Sequence, residues 1–325
     1  MEDFTADKYR GDIDKIRNVA SQRGLKLGHQ DMDELWSYDS GRPLVIYGMP
    51  RSGKTEVMFE ILIQLSVLHG KKHFVLSPET GEVEEVYTEL ISKYIGKPVY
   101  KNKRGGETNK YAMSDAEFES GYQWVREYFY VVDPLKDLPK KFDIDDVYAL
   151  KNEVESNSDW RFETIIIDTW LELSSSDPIY QHVDRVIKTA REHDQKEKTT
   201  TIFTVHANDS KVYFDKTKNK EYYPRPKPQE MSGGKGWFRL GYTVIAVYRP
   251  DPDIFVCEEN ESWIIFDKVK PKRLGRMGSV SWFWDWRVNR FYEKHDNQNI
   301  YGSTNNTIDV LPRIENEETN YEDIF

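Results

Sequence analysis

The octapeptide Gly48-Met49-Pro50-Arg51-Ser52-Gly53-Lys54-Thr55 satisfies the phosphate-binding pattern G-x-x-x-x-G-K-[ST]. The apolar run Leu44-Val45-Ile46-Tyr47 precedes it, and residues 56–68 follow with neither Gly nor Pro. Strand, glycine loop and helix is the context the motif requires, which commits this part of the chain to an α/β fold. Gly48 and Gly53 let the backbone N–H groups of the loop, Met49, Pro50, Arg51 and Ser52 included in its span, close on phosphate oxygens. The helix that begins at Lys54 adds the positive end of its dipole. Lys54 is expected to reach the β- and γ-phosphates and Thr55 to place its hydroxyl on Mg²⁺, so the expected cofactors are ATP and Mg²⁺.

Further apolar runs alternate with helical stretches. His73-Phe74-Val75-Leu76-Ser77, Tyr128-Phe129-Tyr130-Val131-Val132, Thr164-Ile165-Ile166-Ile167 and Thr201-Ile202-Phe203-Thr204-Val205 read as strands buried on both faces, the signature of a parallel sheet. From residue 242 the spacing tightens. Residues 242–248, 262–269, 280–286 and 290–293 read as strands joined by short turns, and we expect an antiparallel extension of the sheet there. Residues 7–24 read as a short charged helix with Tyr9, Ile13, Ile16 and Val19 on one face. It is either a surface helix of its own domain or a linker helix docked on a neighbouring subunit. The expected division is a linker helix over 1–27, one ATPase domain over 28–295 and an acidic, disordered tail over 296–325.

Composition narrows the class. A hydrophobic content of 38% with 14% aromatics supports a substantial core in 325 residues. No apolar run approaches the about 20 residues of a membrane span, and the acidic start Met1-Glu2-Asp3 has no signal-peptide core. The single cysteine, Cys257, excludes an internal disulfide framework or a multi-cysteine zinc site and points to a reducing cytoplasm, of a cell or of a virus-infected host. A net charge of −10 excludes a surface basic all over, so any contact with nucleic acid must be local.

The run Phe162-Glu163-Thr164-Ile165-Ile166-Ile167-Asp168 is a Walker B pattern, with Asp168 at the strand end to hold the Mg²⁺ shell. Thr169 follows it, so the second acid that many ATPases carry there is missing. Glu79, just past the second strand in Ser77-Pro78-Glu79-Thr80, is the better candidate to activate water, because the carboxyl ends of parallel strands line the ligand crevice. Glu82, Glu84 and Glu85 fit the simpler role of acids at a helix N-terminus. His206, ending the fifth strand, is placed to touch the γ-phosphate and to couple it to the loop that follows.

Strand-end Glu79, Asp168 without a second acid, and strand-end His206 together resemble the RecA-like ring helicases. The segment Met231-Ser232-Gly233-Gly234-Lys235-Gly236-Trp237-Phe238, followed by Thr243-Val244-Ile245-Ala246-Val247-Tyr248-Arg249, is similar to their fourth motif. The stretch Val269-Lys270-Pro271-Lys272-Arg273-Leu274-Gly275-Arg276-Met277-Gly278-Ser279-Val280 resembles the basic finger segment of the DnaB and Twinkle class. Ser-Pro-Glu at the second strand and His at the sensor strand look more like Twinkle. The resemblance runs from about Gly28 to Glu293. It implies a RecA-like P-loop NTPase domain and a homo-hexameric ring with ATP between subunits. Arg273 would be an arginine finger for the neighbour's ATP, and Arg249 would sit at the nucleotide. The family's lysine two residues before the finger is Pro271 here, which leaves Lys270 or Lys272 as its assistant. Little chain precedes the P-loop, so priming and loading are expected on other chains.

The resemblance also gives the 208–236 loop a task. Lys211, Lys216, Lys218, Lys220, Arg225, Lys227 and Lys235 outnumber its acids, and Tyr213, Phe214, Tyr222 and Tyr223 interleave. Cations track phosphates and aromatic faces stack bases, so this loop is the expected contact to single-stranded DNA in the pore. The acidic C-terminus, closing on Phe325, suits docking to a polymerase, primase or other replication protein. The reading is a replicative DNA helicase motor. Its rivals are a RecA-like strand-pairing ATPase and a non-translocating nucleotide-dependent assembly protein.

Overall fold

The strand that carries the phosphate loop lies in the interior of a single large sheet. In the computed structural model, which describes residues 6–19, 24–102, 108–208, 212–296 and 298–302, the strands are β1 Leu44–Gly48, β2 His73–Leu76, β3 Phe129–Val131, β4 Thr164–Ile167, β5 Thr200–His206, β6 Tyr213–Asp215, β7 Lys220–Tyr222, β8 Thr243–Tyr248, β9 Glu261–Lys268, β10 Gly278–Asp285, β11 Arg290–His295 and β12 Gln298–Tyr301. The main sheet runs β12-β11-β10-β9-β8-β1-β5-β4-β2-β3, and β6 and β7 form a separate hairpin. From β3 to β8 every pairing is parallel, and from β9 to β12 every pairing is antiparallel.

The helices are α1 Arg10–Val19, α2 Gln30–Leu35, α3 Lys54–His69, α4 Val83–Ile95, α5 Asp115–Tyr128, α6 Ile144–Ser156, α7 Ile179–Glu197 and α8 Gly236–Leu240. They divide between the two faces, which a buried parallel sheet requires. Ile46, Val75 and Ile202 face a core built on α3, α4 and α5, while Val45, Phe74 and Phe203 face one built on α6, α7 and α8. Ten residues of α3 beyond Lys54, from Val57 to Ser66, are buried without interruption. A helix buried on all sides needs partners on all sides, and one of them is ionic. Glu60 on α3 accepts from Arg290 of β11 at 2.9 Å and lies 3.1 Å from His29 before α2, all three fully buried. Burial alone would raise the Glu60 carboxyl, but Arg290 and His29 outweigh it and hold it well below its ordinary value. Removing one partner of such a pair costs on the order of 3–5 kcal/mol, so the phosphate-loop helix is pinned to both ends of the domain.

Three expectations change. First, β8 is not antiparallel: Leu44 pairs with Thr243 and Tyr47 with Ala246 in parallel register. After β5 the chain crosses back to the amino end of the sheet through α8, so β8 enters in the direction of β1, and the reversal begins only at β9. Second, the 208–236 segment contains the β6–β7 hairpin, which turns through Asn219 in the left-handed region. Third, β12 extends the sheet beyond residue 295, and Tyr301 donates to Asp285 at 2.8 Å. Residues 303–325, including Phe325, lie outside the described residues, as does Lys211. The helix expected over 7–24 is a short 3₁₀ turn, Ala6–Tyr9, leading into α1, with Tyr9 and Ile13 about half exposed. Among the described residues no helix is long and apolar enough to cross a membrane.

Candidate active site

Residues 48–55 turn from β1 into α3 as the motif requires. A side chain at Gly48 would strike the Val247 carbonyl oxygen at 2.4 Å and Ser52 Oγ at 2.5 Å, so only glycine fits between the loop and β8. Gly53 caps α3 at φ 88°, a conformation that favours glycine, and Arg51 also has positive φ. Lys54 is buried, and its Nζ donates to the Met49 carbonyl at 3.2 Å and to His206 Nδ1 at 3.1 Å. Burial lowers the pKa of this lysine, while Glu79 and Asp168 act in the opposite direction.

An ammonium can only donate, so His206 Nδ1 accepts and its proton sits on Nε2. That nitrogen faces the Glu79 carboxylate at 3.0 Å. Lys54, His206 and Glu79 thus form one chain at the carboxyl ends of β1, β5 and β2. Glu82 and Glu85, by contrast, form a capping box on α4.

Asp168, at the end of β4, is fully buried and surrounded by hydroxyls. Thr55 Oγ1 donates to its Oδ2 at 3.1 Å, Ser77 Oγ donates to the same atom at 2.7 Å, and Thr204 Oγ1 donates to Oδ1. Thr55 and Asp168 are the hard-oxygen pair that an Mg²⁺ ion at a P-loop takes, and they lie side by side next to Lys54. Ser77 and Thr204 were not among the residues expected from the sequence. The available signal is a hydroxyl at the end of an otherwise apolar strand, as in Ile202-Phe203-Thr204-Val205.

His206 is also the root of the long loop. Ala207 N donates to the Gly48 carbonyl at 2.9 Å, Ser232 N to the His206 carbonyl at 2.8 Å and Asn208 N to the Glu230 carbonyl at 2.7 Å. Both ends of the loop are therefore clamped beside the phosphate site. Of its expected cations, Lys216, Lys227 and Lys235 are exposed. Lys218 donates to the Ile254 carbonyl at 2.8 Å, Lys220 is paired with Asp251 and Asp253 at 2.9 and 2.6 Å, and Arg225 is paired with Asp267.

Arg273 lies at the other end of the molecule. Its 3₁₀ turn, Lys272–Leu274, follows β9, whose Lys268 pairs with Val244 near the start of β8. Ser37 N donates to the Leu274 carbonyl at 2.8 Å, and Arg273 Nη2 is 2.5 Å from Asp39, a residue shortly before β1. The guanidinium thus sits at the amino end of β1, while Lys54 follows its carboxyl end. Arg273 and its own chain's P-loop are not brought together. Lys270 and Lys272 are exposed beside it, and Arg249 is exposed just past β8, at the P-loop end.

No family model matches the chain. Among curated proteins, the Twinkle homolog protein, chloroplastic/mitochondrial, of Arabidopsis thaliana is 29% identical over 116 residues. That stretch is 36% of this chain and only 16% of the relative's length. Among solved structures, the isolated ATPase domain of a DnaB-like replicative helicase matches with a TM-score of 0.67 at 14% identity, covering 90% of this chain and 100% of that one. The fold is that of a DnaB-type helicase ATPase domain. A second DnaB-like replicative helicase, described with its interactions with primase, matches with a TM-score of 0.69 at 15% identity, over 90% of this chain and 68% of that one. The DnaB-type fold accounts for the mostly parallel sheet and for its antiparallel extension.

Proposed function

We propose that this chain is the ATP-hydrolysing motor of a replicative DNA helicase, a hexameric ring that translocates on single-stranded DNA within a cytoplasmic compartment. The observation that carries the reading is the chain Lys54–His206–Glu79, which joins a phosphate-binding cation, a strand-end sensor and a candidate base at one point. Lys54 would bind the β- and γ-phosphates, and Glu79 would orient and deprotonate the attacking water. His206 would exchange its partners when a γ-phosphate competes for Lys54, and its backbone would pass that change to the loop through Ser232. Thr55 and Asp168 would hold Mg²⁺, which supplies charge neutralisation on the phosphates when bound. Arg273, remote from its own P-loop, would serve the nucleotide of an adjacent subunit. The exposed Lys216, Lys227 and Lys235 would meet the strand.

The test is ATP turnover with and without single-stranded DNA, together with unwinding of a forked duplex and particle shape with a non-hydrolysable ATP analogue. Rings, strand-stimulated turnover and unwinding support the motor. Filaments that pair strands would move the chain to the recombinase class. Turnover indifferent to nucleic acid would leave a nucleotide-dependent assembly protein.

A further inference from the structure

The return limb of the long loop, residues 223–226, is sewn to three strands of the main sheet. Tyr248 of β8 donates its hydroxyl to the Tyr223 carbonyl at 2.8 Å. The Tyr47 hydroxyl of β1 donates to Asp267 Oδ2 at 2.6 Å, with the Pro226 carbonyl 3.3 Å away. Asp267 of β9 takes the Arg225 guanidinium on its other oxygen, Oδ1. Pro224 and Pro228 stiffen the limb on either side of Arg225. Beneath it lies a cleft of about 390 Å³ lined by Tyr222, Tyr248, Phe255 and Trp263.

Tyr47 is the residue immediately before Gly48. The limb is therefore fastened one residue from the phosphate loop, while the outgoing limb is fastened at His206. The charge of Arg225 is already balanced: Asp267 is mostly buried and has both oxygens engaged. Turning Arg225 toward a phosphate would strand a buried carboxylate without its cation, a costly exchange. Lys216 faces no such penalty, because it is exposed in the turn between β6 and β7.

We propose that Arg225, Asp267 and Tyr47 form a positioning clasp that transmits the state of the P-loop to the β6–β7 hairpin, and that Arg225 is not itself a contact to the strand. The second half of this rests on the helicase reading given above. The clasp makes the hairpin a stiff lever with both limbs rooted at the nucleotide rather than a tethered flexible loop.

The test uses the full chain and three variants, Arg225→Ala, Asp267→Asn and Tyr47→Phe. The last deletes a single oxygen and keeps the test valid if a charge variant misfolds. Each should lower the ratio of strand-stimulated to basal turnover, by about fivefold for the charge variants, and the double charge variant should be no worse than the poorer single. The salt slope of single-strand binding should stay at the wild-type value. The clasp is overturned if Arg225→Ala lowers that slope by about one unit and Asp267→Asn, by freeing a cation, tightens binding. Wild-type turnover indifferent to nucleic acid would sink the helicase reading alone. Amide exchange then decides the clasp. Residues 223–226 should gain protection with a non-hydrolysable ATP analogue in the wild type and not in Asp267→Asn. Equal protection with and without nucleotide in the wild type overturns it.

Discussion

Lys54 and Glu79 lie at opposite edges of one imidazole ring, that of His206, 3.1 Å from Nδ1 and 3.0 Å from Nε2. A ring in this position reports on both neighbours, because a ligand that takes the Lys54 ammonium leaves Nδ1 without its donor. The arrangement separates binding from chemistry, since the lysine is buried in the loop and the carboxylate is exposed beyond β2.

Glu79→Gln is expected to retain ATP affinity and lose turnover by about 10²-fold or more, the usual contribution of a positioned general base. Lys54→Ala is expected to lose affinity itself, because the phosphates then face no cation from the loop. Nucleotide titration and steady-state turnover on both variants check this. Turnover near the wild-type level in Glu79→Gln would remove Glu79 from water activation.

Arg273→Ala is expected to fold and bind ATP, with turnover about 10³-fold lower, the low end of the range for an arginine finger. Its ion pair with Asp39 is partly exposed and contributes little stability. Mixing Arg273→Ala with Lys54→Ala subunits should restore part of the activity. Where an Arg273→Ala subunit offers its P-loop to a Lys54→Ala neighbour, both the loop and the finger are intact. Co-assembled mixtures that stay inactive at every ratio rule out a finger acting between subunits.

Much of the fold was legible because a parallel sheet buried on both faces demands unbroken apolar runs. Thr164 to Ile167 is such a run, and it is β4 without adjustment. The direction of β8 was not legible, since it depends on where the preceding crossover ends. The β6–β7 hairpin was hidden because its ties are to residues 251, 253 and 254 rather than to its own periodicity. At the site, the loop lysine and strand-end acids follow from local pattern. The hydroxyl shell of Asp168 does not, because Thr55, Ser77 and Thr204 come from three separate elements and meet only in the folded chain.

The cations of the long loop should contribute unequally to strand binding. Lys216→Ala is expected to reduce the salt slope by about one unit, the value of one lost phosphate contact. Lys220→Ala should reduce it by much less, because Asp251 and Asp253 already hold that ammonium. Fluorescence anisotropy of a labelled oligonucleotide across a salt series measures both. Equal slopes for the two variants would show that the ion pairs open on binding.

The last prediction concerns pH and stability. His73, at the start of β2, is fully buried and has its pKa pushed down to about 3, chiefly by burial. Its Nε2 faces the Leu62 carbonyl at 3.0 Å, so Nε2 carries the proton, and Nδ1 accepts from Thr164 Oγ1 at 2.7 Å. This neutral ring is satisfied, whereas a charged one would put a second proton against the Thr164 hydroxyl. Because the folded value lies below the unfolded value of 6.5, the unfolded chain takes the proton first. The contribution of His73 is therefore complete above that value and is lost as pH falls toward about 3, with a limiting slope of about 1.4 kcal/mol per pH unit. Urea midpoints at pH 7.5, 6.0 and 5.0 should fall more steeply for the wild type than for His73→Gln, whose amide does not titrate. The comparison cancels the carboxylates common to both proteins. Parallel pH profiles for the two would mean that His73 accepts its proton in the folded state after all.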